Sequence, residues 1–537
     1  MPRAAMGGSR RPWATVGAVV LLAVPLASQQ TGRQITSYGF AISLPDTGST
    51  IVAVARLGLR PGDGGDTLRL DLVGLSVDSI LPVRSFAYDG RELRIPLTAE
   101  AHRRGQISIF YHGVPRDGLI IGVDAHGHRA AFGDNWPTRA RYWLPSADAP
   151  DAKAPLAFDV RAPRGWKVVA NGRLLGQPDS ATGLDQWRWV ERRPIPTYTM
   201  VIGAAEFTVS RHRPVTHGRD SDPIPIEVWA YPADSAFADS VPFRRATEIV
   251  EVMERLVGPF PYEKLAHVES STRFGGMENS SAIFYAEQPL VERRMRESVV
   301  RHETAHQWFG DAVTERDWHH LWLSEGFATY LDVVIGAALD GDSVLEAGMQ
   351  GYAASYTRSE VVDRPIIDTA EHDLLRLLNA NNYQKGAWVL HMLRSAVGDS
   401  AFWHGMRDYY RAYRDSNALS LDFEHVMERA SGRDLAWFFG QWLFQPGYPQ
   451  LECGWHAAPS GTHVAVTLRE IQPGAWGVFL LPQVTLQFTG PDGERARRLV
   501  ALGGRDTVAT FDLAFVPRAL QLDPDHRLLL TAAVKQN

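Results

Sequence analysis

The spacing of apolar residues changes its period twice along this chain, which limits the architectures open to it. From about residue 33 to 212, segments such as "YGFAISL", "TIVAVARLGL" and "TYTMVIGAAEFTV" alternate or run apolar over strand lengths. Turn signals such as "RPGDGGD" and "AYDGREL" separate them. From about 225 to 448 the apolar positions recur every three or four residues, as in "PFRRATEIVEVMERLVG" and "SEGFATYLDVVIGAAL", which predicts helices. After "QPGYP", Gln445 to Pro449, alternation returns in "THVAVTLREI" and "PQVTLQFTG". A chain of 537 residues can build several cores. The pattern therefore predicts a multidomain α+β protein. Its parts are an N-terminal β domain over 33–212, a mixed helical domain over 213–448 and a small C-terminal β domain over 449–537.

Residues 1–28 have the make-up of an export signal. Arg3, Arg10 and Arg11 precede an apolar run from Trp13 to Ala27, and the small Ala27 and Ser28 offer a cleavage point before Gln29. The expectation is a periplasmic or secreted protein, and "SRRPWAT" loosely resembles a twin-arginine signal. Pro25 and the short run weigh against a retained anchor, so signal removal leaves no membrane span. A formal charge of −6 argues against a nucleic-acid binder, which would carry a basic surplus. Cys453 is the only cysteine, so neither an internal disulfide nor a cysteine-built metal cage is available. Its alternating setting, "PQLECGWHA", predicts a buried, inert thiol.

The polar residues of "VVRHETAHQWFGDAVTERDWHHLWLSEGFATYLD" sit among Val, Trp, Phe and Leu, where unpaired charge is costly. His302 and His306 are four apart, so on a helix they share one face and can reach one ion. Glu303 points about a quarter-turn away, toward a water on that ion. Glu325, at the start of the next helical segment, supplies a third ligand. Two imidazoles and a carboxylate with an open fourth position suit a single Zn²⁺ ion. His319 and His320 are adjacent, point apart and read as packing or surface groups. The basic run "ERRMRE" reads as a solvated helix start, and Asp311 and Asp332 are candidates to orient the imidazoles.

"HETAH", then eighteen residues, then Glu325 resembles the zinc signature of the M1 family of metallo-aminopeptidases. "FGGMENSSAIFY" resembles that family's exopeptidase strand, and "NYQKGAWVLHML" its catalytic tyrosine segment. "NWPTRARYWLPSADAPDAKAPLAFDV" and "WKVVANGRL" are similar to its N-terminal domain, and "GYPQL" and "LQLDPDHRLLL" to its third domain. The resemblance implies an N-terminal β-saddle or sandwich, a thermolysin-like α+β catalytic domain and a C-terminal β-sandwich. It also implies hydrolysis of the N-terminal bond of peptides with a free α-amine.

The same resemblance implies a role for each site residue. Zinc would activate the attacking water, Glu303 would act as general base, and Tyr383 would donate to the developing oxyanion. Glu278 would pair with the substrate's α-ammonium. Gly275, Gly276, Met277 and Asn279 would bind the substrate, the backbone pairing with it as an added strand and Met277 lining the pocket for its first side chain. Asp134 or Asn135 falls where the family has a glutamine touching that pocket. The large helical fourth domain of many members is not read here, which implies a more open cleft or one closed by a partner subunit. Two other readings are an epoxide-opening hydrolase, as in one branch of the family, and a non-catalytic peptide-binding scaffold.

Overall fold

The computed structural model of the protein describes residues 34–61, 67–179, 183–216, 222–458 and 461–536. The predicted export signal lies outside the described residues. Among them, alternation becomes burial as expected. In the strand Ile35–Ser43, Tyr38, Phe40 and Ile42 are buried while the residues between them are partly exposed. This strand pairs in parallel with Ala154–Ala162 and antiparallel with Ile51–Leu59. It lies at the middle of a seven-stranded sheet. A four-stranded sheet, ordered Lys167–Ala170, Ile202–Ala205, Arg129–Gly133 and Leu119–Val123, adds a second layer to this β-rich part.

The next sheet is built differently. Its five strands run in the order Thr208–Arg211, Ile226–Ala230, Leu265–Ser270, Ala282–Ala286 and Gly276–Met277. The three central strands are parallel. Leu265–Ser270 is buried on both faces, as parallel strands under helices are. Gly276–Met277 is an edge strand, antiparallel to Ala282–Ala286. The β-rich part holds the loop that follows this edge: Asn171 Nδ2 donates to Ser280 O at 2.7 Å, and Gly172 N donates to Ser281 Oγ at 2.7 Å.

Helices cover this sheet. Trp322–Asp340 is mostly apolar, and every residue from Trp322 to Gly336 is buried, Glu325 and Asp332 among them. It runs against Glu297–His306 on one side and Gly386–Val397 on the other. Gly326 and Gly386 allow the second approach: a β-carbon on Gly326 would lie 2.9 Å from Gly386 Cα. The last strands form two facing sheets, with Phe488 and Phe511 touching across them at 6.0 Å between ring centroids. Cys453 is buried there, and burial pushes its thiol up to about 11.

Candidate active site

Helix Glu297–His306 starts where Arg245 grips Glu297 at 2.6 Å, and its last turn carries both histidines. Most of "ERRMRE" lies ahead of this helix rather than in it, with Met295 buried. His302 Nε2 and His306 Nε2 are 3.1 Å apart, and each lies 3.3 Å from Glu325 Oε2. Apart from the imidazoles it faces, that buried oxygen has no hydrogen-bond partner among the described residues. Ligand atoms about 2.0–2.2 Å from a tetrahedral ion stand roughly 3.3–3.6 Å from one another. The donor set therefore fits a zinc-sized ion with a fourth position open. His306 Nδ1 lies 3.2 Å from Phe309 O and 3.0 Å from Ser324 Oγ, contacts that orient the ring and leave Nε2 as the ligand atom.

Neither aspartate proposed to orient the rings is hydrogen-bonded to them. Asp311 accepts from Gln307 Nε2 at 2.8 Å. Asp332 accepts from Arg301 Nε at 2.8 Å and from Tyr352 Oη at 3.2 Å, and it acts on His302 only through its charge. His319 and His320 pack as expected, against Asp317 and Ser420.

Glu303 is buried beside the cluster, and Gly276 is what makes room for it: a β-carbon there would overlap its carboxylate. Glu278, Glu303 and His306 each place one donor atom within 4.8 Å of the others. Burial pushes the Glu303 carboxyl well above the usual range, against the opposing pull of His306. Burial likewise pushes Glu278 up to about 7, with His306 opposing and Glu325 adding to it. At Glu325 the burial penalty is overcome by His306 and His302, which hold its carboxylate well below the usual range. A bound cation would favour all three charged forms.

Tyr383 reaches this cluster from an unexpected backbone. The segment that reads as regular helix opens with a π-turn, Asn381–Lys385, before the α-helix Gly386–Val397 begins. Tyr383 Oη donates to Glu325 Oε1 at 2.7 Å, and its ring stacks on His302 at 6.1 Å and 8°. Asn381 Nδ2 fastens the turn to Val361 O and Arg364 O, and Lys385 Nζ donates to Gln445 O at 2.9 Å.

These groups line one cavity of about 190 Å³ with Gly275, Gly276, Met277, Trp136, Phe274 and Leu378. The last three were not anticipated from the sequence. Phe274 and Trp136 stand inside "FGGMENSSAIFY" and "NWPTRARYWLPSADAPDAKAPLAFDV" but were given no role there, whereas nothing local marks Leu378. Trp136 occupies the wall where Asp134 or Asn135 was expected. Asp134 instead accepts from Arg139 at 2.6 Å, and Asn135 Nδ2 donates to Met200 O at 2.7 Å. Asn279 is fully buried behind the wall and does not line the cavity. Gln307 was also missed. Its amide accepts from Ser281 N at 2.7 Å and donates to Glu278 O at 2.8 Å, clamping the edge strand's loop to the histidine helix.

Comparison with known proteins places this geometry. Residues 243–442 match the Peptidase family M1 domain, and residues 88–199 match the Peptidase M1 N-terminal domain. Probable aminopeptidase 1 of Sulfurisphaera tokodaii is 24% identical over 72% of this chain and 50% of its own length. Aminopeptidase N of Streptomyces lividans is 27% identical over 62% of this chain and 40% of its own. The chain thus spans about half the length of the curated relatives it matches. Among solved structures, an M1 zinc metallopeptidase from Deinococcus radiodurans shares the fold with a TM-score of 0.66 and 24% identity, covering 78% of this chain and 94% of that one. Legionella pneumophila aminopeptidase A, in complex with aspartic acid, aligns with a TM-score of 0.78 and 18% identity over 94% of this chain and 60% of that one. The two domain matches together take in more than half of the chain, both histidines and Tyr383 among them, and the chain belongs to peptidase family M1.

Proposed function

We propose that this protein is a zinc-dependent aminopeptidase that hydrolyses the first peptide bond of substrates with a free α-amine. One observation carries the reading: the His302–His306–Glu325 donor set, Glu303, Tyr383 and Glu278 converge on a single cavity. His302, His306 and Glu325 would hold one zinc per chain. When bound, that ion supplies Lewis acidity and lowers the pKa of a water molecule to about 7.

The remaining chemistry belongs to the chain. Glu303 lies beside the donor set but outside it, so it is free to take the water's proton and later give it to the leaving amine. The Tyr383 hydroxyl lines the cavity and donates to Glu325 Oε1 in the free site; turned toward a bound substrate, it would serve the carbonyl oxygen as negative charge develops. Glu278, buried at the cavity wall, pairs with the α-ammonium and so fixes which bond reaches the reacting groups. The outer edge of Gly276–Met277, which borders the cavity, can pair with an extended substrate backbone. Trp136, Phe274, Met277 and Leu378 offer apolar contact to the first side chain. The aminopeptidase names of the relatives support the same reading.

The assembly of these groups in one cavity weighs against a non-catalytic scaffold. No helix among the described residues is long and apolar enough to cross a membrane. Export to the periplasm or medium is part of the proposal and rests on residues 1–28 alone. The test is release of a chromophore from an unblocked aminoacyl anilide, with metal content measured alongside. A chelator should abolish release and zinc should restore it. Full activity in metal-free protein would overturn the assignment.

A further inference from the structure

A second cavity, of about 400 Å³, lies where strand Asp185–Ile195 of the β-rich part meets strand Ile226–Ala230 of the five-stranded sheet. None of its lining residues lines the first cavity. Indole rings make much of its wall: Trp187, Trp189 and Trp229, the last two 6.2 Å apart between centroids. Arg173 and Arg211 stand at its solvent side, with 56% and 76% of their side-chain surface exposed, and Lys264 is buried deep within.

The hydrogen-bond balance of this lining is uneven. Trp189 Nε1 donates to Val168 O, and Trp229 Nε1 donates to Glu227 Oε2 at 3.0 Å. Trp187 Nε1 is buried and has no acceptor among the described residues. Lys264 Nζ donates to Ala170 O and Ser281 O, each at 2.8 Å, but its third donor finds only Ser281 Oγ at 3.5 Å, a poor bond. The ammonium lies over the Trp189 ring at 5.1 Å. Among the described residues Glu227 is the one carboxylate in the lining, and Arg211 and Trp229 already occupy its oxygens. The lining therefore carries surplus positive charge, with Lys167, Arg173, Arg211 and Lys264 against Glu227, held between flat apolar walls.

We propose that this cavity binds a small carboxylate carrying an aromatic or similarly flat apolar body. The ring would lie among the indoles, where edge-to-face and stacked contacts are both available. The carboxylate would accept from the arginines, whose forked donors match its two oxygens. Arg173's present partner, Asp222, is largely exposed, and an exposed pair of this kind gives way readily. The site also touches the amine-recognition loop. Lys264 holds Ser281 O, Ser281 N is held by Gln307, and Gln307 holds Glu278 O.

Calorimetric titration of the intact, zinc-loaded protein tests the proposal, with N-acetylphenylalanine as probe. Its blocked amine keeps it from using Glu278 as an ammonium anchor. The acid should bind at least about tenfold more tightly than its uncharged amide, and it should perturb tryptophan fluorescence. Replacing both exposed arginines, Arg173→Ala with Arg211→Ala, should weaken binding about tenfold without disturbing the fold. Trp187→Leu should weaken it as well, whereas His302→Ala should leave it unchanged. Hydrocinnamate and a blocked tripeptide ending in phenylalanine then separate the two sources of such a group, a free aryl acid and a peptide C-terminus. Tighter binding by either one supports the site and names its source. The proposal is overturned if acid and amide bind alike, if no probe binds at millimolar concentration, or if binding survives the arginine changes but is lost with His302→Ala.

Discussion

Gly276 and Glu303 share one space: a β-carbon on the glycine would overlap the glutamate's carboxylate. The glycine's backbone lies outside the left-handed region, so the constraint is room alone. Gly276→Ala should therefore fold and keep its metal, yet push Glu303 off its position. A misplacement of about 1 Å can cost on the order of a hundredfold in rate. We expect kcat to fall tenfold to a hundredfold, with bound zinc unchanged by metal analysis. An undiminished kcat would mean that the position of Glu303 does not matter.

Glu303 and Tyr383 should separate kinetically from the metal ligands. Glu303→Ala removes the base and no ligand, so the variant should bind zinc fully while kcat drops by about two to four orders of magnitude. Tyr383→Phe keeps the ring on His302 and loses only the hydroxyl that now meets Glu325. It should lower kcat far more than it changes KM, as a contact made mainly in the transition state does. A change confined to KM would remove Tyr383 from the oxyanion.

Glu278 should decide where along a peptide cleavage falls. Acetylating the N-terminus removes the positive charge that Glu278 would pair with, and the wild type should then cleave nothing. A charge-assisted hydrogen bond of this kind contributes about 1.5–3 kcal/mol, or roughly ten- to a hundredfold in kcat/KM. Glu278→Gln should lose about that much on free peptides and narrow the gap between free and blocked ones. Equal cleavage of blocked and free peptides by the wild type would make the enzyme an endopeptidase.

Export is checked by N-terminal sequencing of native protein from the periplasm or medium. The mature chain should begin near Ser28 to Gln30. An intact Met1 on the native protein would refute the signal.

Periodicity is a local property, and what depends on it was legible in the sequence. Tyr38, Phe40 and Ile42 are buried because a strand turns alternate side chains to one face. His302 and His306 meet because a helix returns to the same face after four residues, whatever packs around it. Glu325, the "GGMEN" strand and Tyr383 were legible as motifs, but no local rule states that they converge. That convergence depends on packing. Gly326 against Gly386 brings two helices together, and the π-turn at Asn381–Lys385 then points Tyr383 at Glu325.

The cavity wall was the least legible part, because its pieces lie far apart in the chain. Trp136 arrives from the β-rich part and Leu378 from beside the π-turn. Gln307 looks like one more polar residue on a helix until Ser281 and Glu278 are seen on either side of its amide. The sequence by itself determined which segments are strands or helices and that His302 and His306 share a face, since both follow from spacing over a few residues. Only the tertiary structure decided that Glu325 joins them, which walls surround the three, and that Asp311 and Asp332 serve other partners than the imidazoles. Those outcomes depend on long-range packing, where competing donors and shape settle each contact and no spacing rule applies.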